Sequence, residues 1–284
     1  MTLSWAALLA EAAGRLGAPI EARWIVERAS GWTGADHHLH LDEPVPARAL
    51  AHFEAMVDRR ASGEPLQYVV GAWGFRTLDL LVDRRVLIPR PETETVVEAA
   101  LGELRGRART GGGVVVDLGT GSGAIALSLA VEARPAEVWA TDASAEALAV
   151  ARANLVGLGG LAATGVRLVE GDWFAALPVE LAGRIDVIVS NPPYVAEGEV
   201  AALPPEVAEW EPRGALVAGP GGLEQVQVIV TGAPRWLAPH GSLVVEVAPH
   251  QAAAASALAR AAGFADIDIR PDLAGRLRTL VARR

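Results

Sequence analysis

Residues 114–130, VVVDLGTGSGAIALSLA, limit what this chain can fold into more than any other stretch. VVVDL is an apolar run broken by a single acid, the pattern of a strand buried on both faces. Gly119, Gly121 and Gly123 then turn the chain, and AIALSLA continues as a helix. The alternation repeats downstream: EVWATD, GVRLVEGD, RIDVIVSN and GSLVVEV read as strands, and SAEALAVARANLVGLG, LEQVQVIVTGAPRWL and QAAAASALARAAG as helices. Strands alternating with helices predict an α/β fold around a mostly parallel sheet. The tail ADIDIRPDLAGRLRTLVARR predicts two closing strands around a loop.

The chain before Val114 has another style. SWAALLAEAAGRLG and IEARWIVERASG carry helical spacing, and PARALAHFEAMVDRRASG begins on proline and ends on glycine. QYVVGAWGFRTLDLLVDRRVLIP has short β-prone runs around Gly71 and Gly74, which predict a hairpin. RPETETVVEAALGELRGRA reads as a helix with an acidic first turn and a basic last turn, favourable for its dipole. The expected division is a helical domain over 1–66, a hairpin connector over 67–90 and an α/β domain over 91–284.

Composition removes several chemistries. Hydrophobic residues make up 51% of the 284 and the mean hydropathy is +0.27, enough for a large core. The apolar runs are broken well before the ~20 residues of a membrane helix. No basic, apolar leader opens the chain, so a cytoplasmic protein without a membrane partner is expected. The absence of cysteine excludes disulfides, thiolate metal sites and a cysteine nucleophile. All 25 basic residues are arginine, which excludes lysine-based catalysis. A net charge of −9 and a pI near 5.2 argue against nucleic acid as the main partner.

The glycine turn offers backbone close approach and free N–H groups at a helix N-terminus. Asp142 ends the next strand, where an acid commonly holds ribose hydroxyls. A tight turn and a surface aspartate would give the same letters singly; the ordered strand, turn, helix, strand and acid carry the weight. The dinucleotide fingerprint is G-x-G-x-x-G. Here the spacing is G-x-G-x-G, with Asp117 two residues before it. That resembles the Rossmann-like methyltransferases that use S-adenosylmethionine. The resemblance implies that Gly119, Thr120, Gly121, Ser122 and Gly123 take the methionine and ribose side and that Asp142 takes the ribose hydroxyls. It places Asp172 and Trp173 of EGDWF around the adenine, with S-adenosylhomocysteine as product.

In DVIVSNPPYVAEG a buried strand delivers Asn191 to a stiff corner. Prolines supply no N–H and fix φ, and a residue before proline is pushed toward an extended backbone. The corner therefore offers acceptors and few donors. Asn-Pro-Pro-Tyr at this place is the motif of methyltransferases acting on a planar nitrogen. The Asn191 side-chain oxygen, which also borders the cofactor, and the Pro192 carbonyl can each accept one N–H; Pro193 and Tyr194 can pack against a planar acceptor. Read alone, the motif could equally be a rigid surface turn.

SGEPLQYVVGAWGF, LIPRPETE, the Asn-Pro-Pro-Tyr strand and EPRGALVAGPGGLE together resemble the peptide chain release factor glutamine methyltransferase family, over nearly the whole chain. The most specific stretch is LIPRPETE. The resemblance implies a mostly parallel Rossmann-like sheet with an antiparallel final strand, a small helical N-terminal domain and a β-hairpin connector. It implies methylation of the glutamine amide in the Gly-Gly-Gln loop of release factors by a cytoplasmic monomer, without direct nucleic-acid contact and without a metal. Arg90 and Glu92 are expected near the substrate. The alternatives carrying the same corner act on a ribosomal-protein glutamine or on an exocyclic amine of nucleic acid. This chain departs from the family in having Gly221 where Asp is common, and Ala248 where Gly is common after Glu246.

Other features weigh less. DHHLHLD brings His37 and His40 near Asp36 and Asp42, for which a solvated loop is expected rather than a metal site. Trp5, Trp24 and Trp32 are expected in the helical core. Arg84 and Arg85 are expected on a solvated face, and Arg90 in an ion pair beside Glu92 and Glu94.

Overall fold

The computed structural model describes residues 3–105, 113–135 and 137–284. It divides into two compact units, one of Met1–Ala72 with Pro204–Trp210, the other of Trp73–Leu203 with Glu211–Arg284. The sequence placed boundaries at 66 and 90. The hairpin, from Trp73 on, instead belongs to the second unit, where Phe75 and Leu80 are core residues. The short stretch 204–210 belongs to the helical unit, far from it in sequence.

In the helical unit, Ser4 caps the helix Trp5–Leu16, and Gly17, with φ of 64°, closes it. Pro19 opens Pro19–Ser30. These helices and Ala47–Ala61 bury Trp5, Leu8, Ile25, Val26, Phe53 and Met56 against one another. Trp32 meets Trp5 edge-on at 5.7 Å, as expected of a core pair. Trp24 does not join them. Its helix buries Ala22, Ile25 and Val26, and Trp24 falls off that stripe, 37% exposed. The histidine stretch is also not a solvated loop. Ala35–Leu39 is a short helix, His37 is 1% exposed, and His40 stacks on Trp32 while bonding Glu43. Burial is the main reason the His37 imidazole is pushed below its ordinary pKa. Among the described residues no three His, Asp or Glu side chains are placed to hold a metal ion.

The second unit opens with a hairpin of β1 (Ala72–Phe75) and β2 (Leu78–Leu81). Its large sheet uses β3 (Val114–Leu118), β4 (Glu137–Asp142), β5 (Val166–Glu170) and β6 (Ile185–Ser190). After the short pair β7 (Val195–Ala196) and β8 (Val217–Gly219) come β9 (Leu237–Glu246), β10 (Asp266–Pro271) and β11 (Leu277–Arg283). The seven-stranded order is β10-β11-β9-β6-β3-β4-β5, parallel except for the pairings of β11 with β9 and of β10 with β11. This is the mostly parallel sheet with an antiparallel close that the sequence implied.

Alternate residues feed the two faces. Val115, Val187, Val189 and Val244 pack under the helices Thr93–Arg105 and Ala124–Glu132. Val116, Leu118, Ile188 and Val245 pack under Glu224–Trp236 and Ala252–Ala261. The helix expected over 90–108 begins at Thr93; its expected end past Arg105 lies outside the described residues.

Two features position a site. The strand order runs outward from β3 through β4 and β5, then restarts at β6 on the other side, so the order of strand addition reverses between the parallel neighbours β3 and β6. Crevices form at the carboxyl ends of strands where that reversal occurs. The register makes those ends level, with Leu118 opposite both Thr141 and Ser190. The Ser190 hydroxyl locks the junction by donating to the Leu118 carbonyl at 2.6 Å. Gly119, Asp142 and Asn191 each follow or end one of these strands, so one edge receives all three.

Candidate active site

The glycine turn is built from its backbone. The N–H groups of Gly119 and Thr120 both donate to the Thr141 carbonyl, at 2.9 and 2.8 Å. Asp117 is fully buried beneath the turn and accepts from the Thr120 hydroxyl at 2.6 Å and from the Ala126 N–H at 3.1 Å. Burial pushes the Asp117 carboxyl up to about 7 against those two bonds. Asn154 anchors the turn from the next helix by donating to the Ser122 carbonyl at 2.8 Å. Gly119 has φ of 74°, and a Cβ on it would lie 3.3 Å from the Trp173 ring. A side chain there would be strained and would press on that ring.

In front of the turn lies a cavity of about 520 Å³. Of the residues the sequence assigned to the cofactor, Gly119, Thr120, Gly121, Ser122, Asp142, Asp172, Trp173 and Asn191 line it, and Gly123 lies behind. Asp142 Oδ2 accepts from the Gly121 N–H at 2.8 Å and Oδ1 from the Ser144 N–H at 2.9 Å. Burial raises its pKa, and those backbone bonds oppose the rise. Trp173 sits at φ of 43°, a strained value for a bulky residue, and its indole N–H donates to Gln225 at 2.9 Å.

Beyond the turn stands the Asn-Pro-Pro-Tyr corner. Asn191 and Pro193 line the cavity, while Pro192 is buried and Tyr194 half-buried behind them. Asn191 Nδ2 donates to the Thr93 hydroxyl oxygen at 3.1 Å. That leaves its Oδ1 as an acceptor on a residue that lines the cavity. The Thr93 hydroxyl in turn donates to Glu246 at 2.7 Å, and the Tyr194 hydroxyl donates to the other oxygen of the same carboxyl at 3.4 Å. Burial, reinforced by the Glu246 charge, pushes the Tyr194 hydroxyl up to about 12, so it stays a donor.

Arg90 and Glu92 do not line this cavity. Arg90 pairs with the buried carboxylate of Glu211, not with Glu92 or Glu94. Glu92 pairs with Arg276 at 2.9 Å, and Glu94 accepts from the Arg76 N–H. Glu211 also receives the Ile88 N–H at 3.3 Å, so it braces the LIPR stretch along the cavity. Arg85 pairs with Asp83 at 2.5 Å on an exposed face, as expected, and also reaches the cavity rim. Sequence reading missed Thr93, Gln225 and Glu246. The signal for Thr93 was its place inside PETE, and for Glu246 an acid at the end of an apolar strand.

Residues 2–71 match the family described as PrmC N-terminal domain, and residues 103–204 the family described as methyltransferase small domain. The release factor glutamine methyltransferase of Cereibacter sphaeroides is 44% identical over 275 residues, covering 96% of this chain and 93% of its own length. That of Burkholderia pseudomallei is 45% identical over 261 residues, covering 90% and 88%. A methyltransferase from Pyrococcus furiosus shares the fold, with a TM-score of 0.52 at 21% identity over 73% of this chain and 89% of its own.

Proposed function

The chain belongs to the release factor glutamine methyltransferase family, and from that premise we propose that it methylates the glutamine side-chain amide in the Gly-Gly-Gln loop of peptide chain release factors. S-adenosylmethionine, when bound, supplies an electrophilic methyl on a sulfonium. The residues present fit it. The glycine at 121 leaves the turn open to close approach, Asp142 offers carboxylate lone pairs to ribose hydroxyls, and Asp172 and Trp173 border the same cavity, with the Trp173 ring against Gly119.

An amide nitrogen is a poor nucleophile because its lone pair is delocalised. It must be held in line with the methyl group and allowed to pyramidalise. The proposed work of Asn191 and Pro192 is that positioning: the Asn191 Oδ1 and the Pro192 carbonyl each accept one N–H, and Tyr194 packs beside the planar group. As the new C–N bond forms and S-adenosylhomocysteine departs, the nitrogen becomes acidic and gives its proton to water, so no strong base is needed early. The observation that carries the reading is Asn191 in the cavity wall with its NH2 engaged by Thr93, which leaves its amide oxygen as the acceptor it can offer.

The same reading gives the helical unit the task of recognising the release factor, and places the enzyme in the cytoplasm as a monomer. Among the described residues no helix is long and apolar enough to cross a membrane. Offering labelled S-adenosylmethionine with a release factor, a ribosomal protein or DNA tests the substrate. Label on the release factor is expected; label on nucleic acid or the ribosomal protein alone would replace the reading. A chain beginning at Trp73, offered the same release factor, tests the helical unit, whose recognition role fails if turnover is undiminished.

A further inference from the structure

We propose that Glu246 is a positioning residue, which through Thr93 fixes the orientation of the Asn191 amide and so decides that an acceptor, not a donor, meets the reacting nitrogen. The inference rests on the reading above and adds a residue to it.

The argument is one of hydrogen-bond polarity. An amide oxygen and an amide NH2 have nearly the same shape, so packing alone does not choose between the two orientations of asparagine. Glu246 ends β9 with its side chain 1% exposed. As a carboxylate it can only accept. It takes the Thr93 hydroxyl hydrogen at 2.7 Å and the Tyr194 hydroxyl hydrogen at 3.4 Å. Threonine has one hydroxyl hydrogen. Once Glu246 holds it, Thr93 can show Asn191 only lone pairs, and Asn191 must answer with its NH2, as it does at 3.1 Å. Without an obligate acceptor at position 246, the Thr93 hydrogen is free to turn toward Asn191. The amide then flips, and its NH2 faces the N–H groups it is meant to receive.

The surroundings make the device sensitive to protonation. Burial pushes the Glu246 carboxyl up to about 7; the Thr93 bond, the Arg278 charge and the Tyr194 bond pull it down, and the Glu92 charge pushes it further up. Arg278 is shared with Asp272 at 3.3 Å, and Glu92 is engaged by Arg276. A protonated Glu246 gains an O–H that can donate to Thr93, releasing the Thr93 hydrogen toward Asn191. The folded-state pKa lies above the ordinary 4.5 of glutamate, so the carboxylate form dominates only above about 7. Turnover should therefore fall as pH drops through that value.

The test measures kcat and KM on the release factor, and cofactor affinity by calorimetry, from acid to mildly basic pH. Wild type, Glu246→Gln, Thr93→Val and Thr93→Ser are compared. Wild type should lose turnover on the acid side. Glu246→Gln and Thr93→Val should each lose about tenfold or more in kcat, with a flattened acid limb and cofactor affinity nearly unchanged. Thr93→Ser, which restores the hydroxyl, should restore rate and acid limb. Wild-type kcat and an intact acid limb in Glu246→Gln would overturn the proposal. If that variant does not fold, equal kcat in Thr93→Val and Thr93→Ser would overturn it instead. A wild-type enzyme that leaves the release factor unlabelled at basic pH sinks the functional reading and this inference with it. Labelled wild type with unaffected variants sinks the inference alone.

Discussion

The carbonyl oxygen of Tyr194 lies where a side chain on Gly222 would begin. A Cβ at Gly222 would sit 2.9 Å from that oxygen and 2.8 Å from Nε2 of Gln251, at a φ of 80°. Gln251 Nε2 donates to both the Tyr194 and the Gly222 carbonyls, at 2.9 and 3.0 Å, so one amide clamps the far side of the Asn-Pro-Pro-Tyr corner. Gly222→Ala should cost on the order of 2 kcal/mol through clash and backbone strain. It should also slow methyl transfer more than it weakens cofactor binding. Denaturant unfolding and turnover measure both; wild-type values in each would show that the close approach is not needed.

Asn191→Ala should leave cofactor affinity nearly unchanged and lower kcat by tenfold or more, since a lost acceptor is worth about 1–3 kcal/mol and misorientation adds to it. Asn191→Asp should not rescue the rate. It keeps an oxygen but has no N–H for the lone pair of Thr93. Comparison of kcat with calorimetric affinity decides the point, and a wild-type rate in the alanine variant would remove Asn191 from the chemistry.

Asp142→Ala should act in the opposite sense, weakening S-adenosylmethionine binding by about 1–3 kcal/mol. The carboxylate holds the Gly121 N–H, and with it the turn, as well as facing the cavity. Isothermal titration gives the answer directly. Unchanged affinity would mean that the ribose is held elsewhere.

Stability at low pH should depend on Glu103, far from the site. Burial alone would push its carboxyl up, but hydrogen bonds from Arg283 and Ser242 and the charges of Arg283 and Arg270 hold it down to about 2. The Arg283 bonds are 2.6 and 2.8 Å. A depressed folded pKa means stabilisation that is whole above the ordinary 4.5 and lost as pH falls toward 2. Glu103→Gln should cost on the order of 2 kcal/mol at neutral pH and shrink the difference at pH 2. Equal losses at both pH values would contradict this.

What the sequence made legible was local. VVVDLGTGSG announces a buried strand and an open turn because both depend on residues next to one another. The same holds for SNPPY, where proline stiffness acts on its own neighbours. What it hid was distant pairing. Arg90 stands beside two glutamates in the chain, yet its partner is Glu211, 121 residues further on. Glu246 looked like the end of an apolar strand, and its meaning depends on Thr93 and Tyr194 arriving from two other elements. Trp24 has the composition of a core residue, and only its angle on the helix shows otherwise. His37, counted with polar neighbours, is drawn inside by a short helix.

The helical unit is not contiguous in the chain. Arg60 bonds Glu21, a near neighbour in synthesis, at 2.6 Å, and Glu206, made long afterwards, also at 2.6 Å. On the ribosome the first 72 residues therefore emerge with their apolar core complete but without the Glu206 carboxylate that Arg60 also engages. A graft of residues 1–72 onto another enzyme would carry that core whole but leave the Glu206 carboxylate behind, so only an exchange that moves both stretches of gene together keeps the unit's full set of ion pairs.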